Sequence, residues 1–159
     1  MTKADLKTWM DFARKRTMNL IETIAKEPNP EKILGWRPGP GRAHIAWQLM
    51  HLGATDDRHL NIRMNQGEAK ETQFVERFAG GSTPDDEIPS LDTIRQYLTS
   101  SREAILNHLM SLDDSKLDSK PHDTAQWVYS EWFQVLAWHE AHHQGQAHLT
   151  WNLYKQSGK

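Results

Sequence analysis

The sequence of 159 residues contains no cysteine. Disulfide bonds, thiolate metal ligands and a cysteine nucleophile are therefore excluded, so a bound metal would have to use imidazole, carboxylate, amide oxygen or water. The net charge is −2 and no basic block is present, which argues against nucleic-acid binding. No stretch approaches the roughly 18 consecutive apolar residues of a membrane span, and the N-terminus lacks the apolar run of a signal peptide. We therefore expect a single cytoplasmic domain, residues 1–159, that binds neither nucleic acid nor membrane.

Apolar residues recur at helical spacing in four long segments, and no segment shows the alternation of a strand. The predicted helices cover about 3–26, 42–64, 90–111 and 124–155. Thr2 and Asp5 have the spacing of a capping box at the start of the first helix, and Pro28 ends it. The sequence therefore predicts an all-α four-helix bundle.

Two connections are rich in glycine and proline, residues 27–41 and 65–89. The second, when extended, can reach about 80 Å, whereas a helix of 23 residues is only about 35 Å long. It could therefore cross the bundle and let the third helix run parallel to the second, which gives an up-down-down-up order. A lid is the other use for so long a connection. Phe74 to Phe78 is predicted to form a short helical turn within it.

Three of the nine histidines are candidate metal ligands. His139 and His143 are four residues apart on a largely apolar face of the fourth helix, so their rings project from one side. A buried imidazole pair needs partners, and a metal ion supplies one to each ring. His51 of the second helix is the candidate third ligand, because bundles build metal sites from facing helices. A hydrogen-bonded core histidine is the competing interpretation for each residue.

The remaining histidines fit a shared site less well. His142 projects about 100° away from the pair. The others lie among polar neighbours, in a loop, or two turns from His51 on the same face; they are His59, His108, His122, His148 and His44.

Residues 139–143 also match H-E-x-x-H, the motif in which a metalloprotease glutamate activates water. The extended form of that motif needs Gly at position 146 and His at position 149, where this chain has Gln and Leu. Only 16 residues follow His143 to supply a downstream ligand, and no strand is predicted to hold a peptide. A protease is therefore disfavoured, and Glu140 is expected to lie at the surface.

Two motifs resemble those of the DinB/YfiT-like family of metalloenzymes. One begins at Trp36-Arg37-Pro38-Gly39-Pro40-Gly41-Arg42 and continues through 45–52, and the other is the segment 139–146. The resemblance implies that His51, His139 and His143 hold the metal, and that the helices follow the up-down-down-up order. Relatives include thiol-dependent S-transferases, a thiol-dependent isomerase and amide hydrolases, and family members often pair through helix faces.

We therefore expect one divalent metal ion per chain, zinc or nickel, with coordination positions left for water or substrate. The first functional hypothesis is S-transfer from a low-molecular-weight thiol to a small electrophile. The alternatives are hydrolysis of a small amide or ester, and a metal-binding homodimer without catalysis. Candidate pocket residues are His44, Trp47, Gln48, Thr55 and Gln146. Candidate general bases are Glu140, Asp56 and Asp57, although their spacing directs none of them to the pocket.

Overall fold

A computed structural model describes residues 1–158, and within them the chain is helical with no strand. The six helices are α1 (Lys3–Ile24), α2 (Pro30–Gly35), α3 (Ile45–Asp57), α4 (Thr72–Arg77), α5 (Leu91–Ser111) and α6 (Tyr129–Gln156). A π-helical segment, Arg58–Met64, continues α3, and a 3₁₀ turn, Asp114–Lys116, precedes α6. None of these helices is long and apolar enough to cross a membrane. The all-α class is confirmed, and the up-down-down-up order stays a prediction.

Short polar side chains fix where the long helices begin. Thr2 and Asp5 form the predicted capping box, in which the Asp5 amide donates to the Thr2 hydroxyl at 3.1 Å and the Thr2 amide to the Asp5 carboxylate at 2.9 Å. Ser90 caps α5 by accepting from the Thr93 amide at 3.1 Å. At α3 the cap is His44, whose Nδ1 accepts from the Trp47 amide at 3.0 Å. These bonds satisfy amides that no earlier turn of helix can satisfy.

The structure corrects three predicted boundaries. The connections 27–41 and 65–89 are not wholly irregular, because they contain α2 and α4, and the latter begins two residues before Phe74. The last helix begins at Tyr129 rather than near 124. The chain before it is held by the Tyr129 amide, which donates to the Ser119 carbonyl at 3.0 Å, and by the Ser130 amide, which donates to the Leu117 carbonyl at 2.9 Å. These bonds to an upstream turn compete with helical bonds and delay the helix.

The four long helices form a ring in which α5 and α6 each pack against both α1 and α3. The buried apolar residues divide into two clusters. One contains Leu20 to Ile24 of α1, most of α3 and the first turns of α5. The other contains Leu6 and Met10 of α1, the end of the π-helical segment and the first turns of α6. Between the two clusters, each long helix buries a charged residue: Arg14, Asp56, Arg102 and Glu140.

Candidate metal centre

Three histidines from two helices converge at the wall of the bundle. His51 of α3 and His139 and His143 of α6 each place one ring nitrogen within 4.8 Å of the others. The Nε2 atoms of His51 and His139 are 3.1 Å apart. The sequence prediction that these three side chains meet is correct, and their role as ligands stays a prediction.

His51 is held in one orientation by its neighbours. Its Nδ1–H donates to the carbonyl oxygen of Phe78 at 2.7 Å, and its ring stacks on Trp47 with centroids 4.8 Å apart and planes 10° from parallel. A bond at Nδ1 fixes the tautomer, so Nε2 carries the free lone pair and faces the other two rings. Gly80 follows in the same loop, and a Cβ there would come within 3.7 Å of the His51 ring.

All three imidazoles are kept uncharged at neutral pH. Burial lowers the pKa of His51. Burial, reinforced by the rings of His143 and His51, lowers the pKa of His139 to about 3. Burial, with His51 and His142 adding to it, lowers the pKa of His143 to about 4. Neutral imidazole is the form that binds a metal ion.

The donor set fits a divalent metal ion. A cation about 2.0–2.1 Å from each of two nitrogens in tetrahedral geometry holds them about 3.3 Å apart, close to the observed 3.1 Å between His51 and His139. Nδ1 of His143 is buried and has no hydrogen-bond partner among residues 1–158, a costly state that a ligand would relieve. Three imidazoles with no carboxylate suit zinc, nickel, copper or iron better than magnesium or calcium.

A cavity of about 230 Å³ opens beside the three-histidine cluster. His51 and His139 form part of its wall, together with Thr55, Arg58 and His59. The Nδ1–H of His59 donates to the Thr55 carbonyl at 2.7 Å, which leaves Nε2 of His59 as an acceptor. Burial lowers the pKa of His59, so this ring too is uncharged at neutral pH. His59 was not predicted to belong to the site, because its neighbours in the sequence are polar. Its position eight residues after His51 on the same helical run is the signal that could have indicated it.

The other predicted pocket residues have different environments. Thr55 lines the 230 Å³ cavity, whereas Trp47 lies behind His51 and donates to Ser82 at 3.2 Å. His44 is used as the α3 cap, and its Nε2 contacts the Asp85 carbonyl at 2.9 Å. His44 does not line the 230 Å³ cavity, contrary to the prediction. Gln48 and Gln146 line a second cavity of about 730 Å³, formed with residues 38–43 and the last turns of α6.

A family comparison agrees with this geometry. The sequence model of the DinB superfamily matches residues 10–147, which is most of the chain. The chain belongs to the DinB superfamily. No curated protein sequence matches it closely enough to add a specific activity.

The structure overturns the expectation that Glu140 lies at the surface. Glu140 is completely buried and accepts from Arg14 Nε at 2.7 Å and from Arg102 Nη2. Both arginines also pair with Asp56 at 3.1 Å. We call Arg14, Asp56, Arg102 and Glu140 the ion quartet. Its two positive and two negative charges cancel, and Glu140 is not available to activate water as a protease glutamate would.

The two aspartates proposed as general bases are also engaged elsewhere. Asp56 belongs to the ion quartet. Asp57 accepts from the backbone amides of Lys70 and Glu71, both at 2.9 Å, and from Asn61 at 2.8 Å. Neither lines the cavity beside the histidines. Asp57 instead fixes the end of the connection, directly before α4 begins at Thr72.

The sequence does carry a signal for the ion quartet. Each of the four long helices has one charged residue on its apolar stripe: Arg14 follows Met10, Asp56 follows Leu52, Arg102 follows Leu98, and Glu140 follows Leu136, each by one helical turn. A charge on such a stripe is buried only if it is paired. Two positive and two negative residues at these positions predict mutual pairing.

Proposed function

We propose that this DinB-superfamily protein is an enzyme that depends on one divalent metal ion, zinc or nickel, and transfers the sulfur of a low-molecular-weight thiol to a small electrophile. His51, His139 and His143 would hold the ion. The observation that carries the proposal is the convergence of three uncharged imidazoles without a carboxylate, two of which, His51 and His139, line a cavity. A closed structural zinc site has four protein ligands, whereas three ligands beside a cavity leave room for substrate.

The bound ion would supply positive charge that lowers the pKa of a thiol at neutral pH. The thiol loses its proton, the sulfur forms a bond to the electrophilic carbon, and the leaving group departs with the electrons of the bond that breaks. His59 supports the proton transfer, because its Nδ1–H is engaged by the Thr55 carbonyl and its Nε2 is free to accept. The contact from the Phe78 carbonyl keeps the His51 lone pair directed at the cluster.

Two cavities on the same pair of helices support a reaction with two substrates. The 230 Å³ cavity includes His51 and His139 in its wall. The 730 Å³ cavity includes Gln48, three residues before His51, and Gln146, three residues after His143. Three residues is about one helical turn, so each of these glutamines lies about one turn from a histidine of the cluster. A thiol in one and an electrophile in the other would approach the same centre.

Hydrolysis of a small amide or ester is the second candidate. The same free Nε2 of His59 that could accept a thiol proton could accept one from water. This reaction needs one organic substrate, so it leaves the larger cavity without a role. A low-molecular-weight thiol is kept reduced in the cytoplasm, where we propose that the protein acts.

We also propose that the protein forms a homodimer through the outer face of α1 and α6. Trp9, Phe12 and Trp138 are 58%, 68% and 63% exposed there. They border an apolar groove whose floor includes Ala137 and Ala141. Projecting aromatic rings beside a groove floored by small residues make one face complementary to itself, as a two-fold interface requires.

Metal content tests the first step of the proposal. After chelation and reconstitution with zinc or nickel, elemental analysis should find about one ion per chain. His51→Ala and His143→Ala should abolish this stoichiometry, because each removes one of three ligands. His148→Ala, an exposed histidine on the same helix, is the matched control and should keep the ion. Full occupancy in either ligand variant would contradict the assignment.

Activity assays then separate the candidate reactions. The reconstituted protein is incubated with cysteine or glutathione and a chlorodinitrobenzene, and separately with small aryl amides and esters. Metal-dependent thioether formation supports S-transfer, and metal-dependent release of amine or acid supports hydrolysis. One bound ion per chain with turnover in neither assay would favour the binding-only homodimer.

A further inference from the structure

Arg58 differs from every comparable arginine in the protein. Six arginines are buried or half-buried, and five of them pair with carboxylates: Arg14, Arg37, Arg77, Arg95 and Arg102. Arg58 is half-buried, yet among residues 1–158 its guanidinium forms neither an ion pair nor a hydrogen bond. A half-buried guanidinium has five donors and loses part of its hydration. An anionic ligand would supply the missing partner.

The position of Arg58 directs that ligand to the metal centre. Arg58 lines the 230 Å³ cavity that also includes His51 and His139. No aspartate or glutamate lines this cavity, so Arg58 is its one permanently charged side chain. Arg58 is also the first residue of the π-helical segment. Such segments widen a helix and occur frequently at functional sites.

The small volume limits what the cavity can hold. One water molecule occupies about 30 Å³ in the liquid, so 230 Å³ corresponds to roughly eight waters. The other wall residues are mainly apolar or small, among them Ala54, Val75, Phe78 and Val135. The space therefore suits a short organic molecule with one anionic end and an apolar body.

We propose that Arg58 binds the carboxylate of a small organic acid and thereby orients it beside the three-histidine centre. The acid is the substrate class of the smaller cavity, so the inference rests on the proposed function. A carboxylate matches the planar fork of a guanidinium with two parallel hydrogen bonds. It also carries one negative charge, which Arg58 neutralises without drawing on the charge of a bound ion, whereas a phosphate dianion would need that charge as well.

Binding of propionate tests the proposal directly. Propionamide is the matched neutral probe, because it has the same number of non-hydrogen atoms and nearly the same shape. Inorganic phosphate is the third probe. Each is titrated into ¹⁵N-labelled protein, both zinc-loaded and chelator-treated, while the amide signals of residues 54–59 are followed by NMR. In the chelator-treated sample no ion competes for the carboxylate, so that sample isolates the contribution of the arginine.

The variants are Arg58→Gln, Arg58→Lys and the control Arg63→Gln. Arg63 lies on the same π-helical segment, is exposed and does not line the cavity. Loss of a charge-assisted bidentate contact should raise the Kd for propionate about 10-fold or more in Arg58→Gln. Arg58→Lys should bind with intermediate affinity because it keeps the charge but not the fork. Arg63→Gln should bind like the wild type, and propionamide should bind weakly to every variant.

Each outcome bears on the inference separately from the metal assignment. Equal propionate affinity in Arg58→Gln and wild type would overturn it, and so would Arg58-dependent binding of phosphate that is tighter than that of propionate. If the protein holds no metal but propionate binding still depends on Arg58, the proposed function fails and the anion subsite stands. If one ion per chain binds and Arg58→Gln does not change the affinity for propionate, the metal assignment stands and the anion subsite fails.

Discussion

Replacing Glu140 by glutamine should destabilise the protein strongly. The Glu140 carboxylate is completely buried and accepts from Arg14 and Arg102. Glutamine keeps one acceptor oxygen but turns the other into an NH₂ donor, which must face a guanidinium donor. The substitution also changes the ion quartet from neutral to a net charge of +1 in a buried site.

The expected loss of stability follows from the arginine charge that is left unpaired in the buried site. Removing one partner of a buried ion pair costs about 3–5 kcal/mol, mainly because the remaining charge is desolvated and unpaired. One oxygen of the glutamine still accepts, so we expect the lower value, about 3 kcal/mol. A 159-residue chain has an unfolding entropy of about 0.33 kcal/mol/K. The expected fall in Tm is therefore about 9 °C.

Thermal unfolding followed by circular dichroism measures this fall. Glu103→Gln is the matched control, because Glu103 lies on α5 at an exposed position and forms no ion pair among residues 1–158. Its Tm should stay within about 2 °C of the wild type. The double variant Glu140→Gln with Arg14→Met restores neutrality, so it should be less destabilised than the two single changes together. A Tm for Glu140→Gln within 2 °C of the wild type would refute the reasoning.

Acidification provides an independent check on the same carboxylate. Burial alone would raise the pKa of Glu140, but the guanidinium groups of Arg14 and Arg102 outweigh it, and the pKa lies below its ordinary value of 4.5. The folded protein thus binds this proton more weakly than the unfolded chain does. The stabilisation is fully present above about pH 4.5 and is lost as the pH falls through the lower folded pKa. Glu140→Gln should show a smaller loss of stability over that range.

Three further predictions concern the metal, the helix packing and the dimer. Metal affinity, measured in a chelator competition, should change little between pH 7 and 5.5, because burial holds the pKa of His139 at about 3 and that of His143 at about 4. Ordinary histidines would become protonated over that range and would lose affinity for the ion. Gly53→Ala should lower the free energy of unfolding by about 1–3 kcal/mol, since its Cβ would come within 2.6 Å of the Tyr97 ring. Gly145→Ala, with open space around the Cβ, should instead stabilise helix α6 by up to about 1 kcal/mol in urea unfolding. Trp138→Glu should convert a dimer to a monomer in light scattering after size exclusion; an unchanged mass would contradict the proposed interface.

The fold was predictable where a local pattern determines it. The apolar stripes located all four long helices, and the cap at Thr2 was readable from spacing alone. The start of α6 was not, because the bonds that delay it run to Leu117 and Ser119, outside the segment itself. Helix α2 was not predicted, and α4 was predicted only as a short helical turn from Phe74 to Phe78, for a related reason. Each has six residues, too few to show periodicity, and depends on packing against α3.

The site was predictable to the extent that it depends on helix geometry. The i, i+4 spacing of His139 and His143 fixes their common direction. His51 could be predicted as the third residue of the cluster because it lies on a largely uncharged face of another long helix. The cavity contacts of Arg58 and His59 were not predicted, because both residues lie on a π-helical segment where the α-helical spacing no longer gives the face of a residue. Glu140 was wrongly expected at the surface, because only its position next to His139 was considered. Its ion-pair partners, Arg14 on α1 and Arg102 on α5, were not considered.

The ion quartet and the three histidines are connected through the geometry of two helices. Glu140 follows His139 directly on α6, and Asp56 lies five residues after His51 on α3. Adjacent residues on a helix point about 100° apart, so the fixed direction of Glu140 toward Arg14 and Arg102 also sets the direction of His139 toward α3. Apolar packing alone would permit some rotation of each helix, whereas four paired charges permit little without leaving one unpaired. The glutamate of the H-E-x-x-H sequence thus acts on the three-histidine cluster through helix orientation. If the cluster holds the proposed ion, replacement of Glu140 should lower metal affinity even in molecules that remain folded.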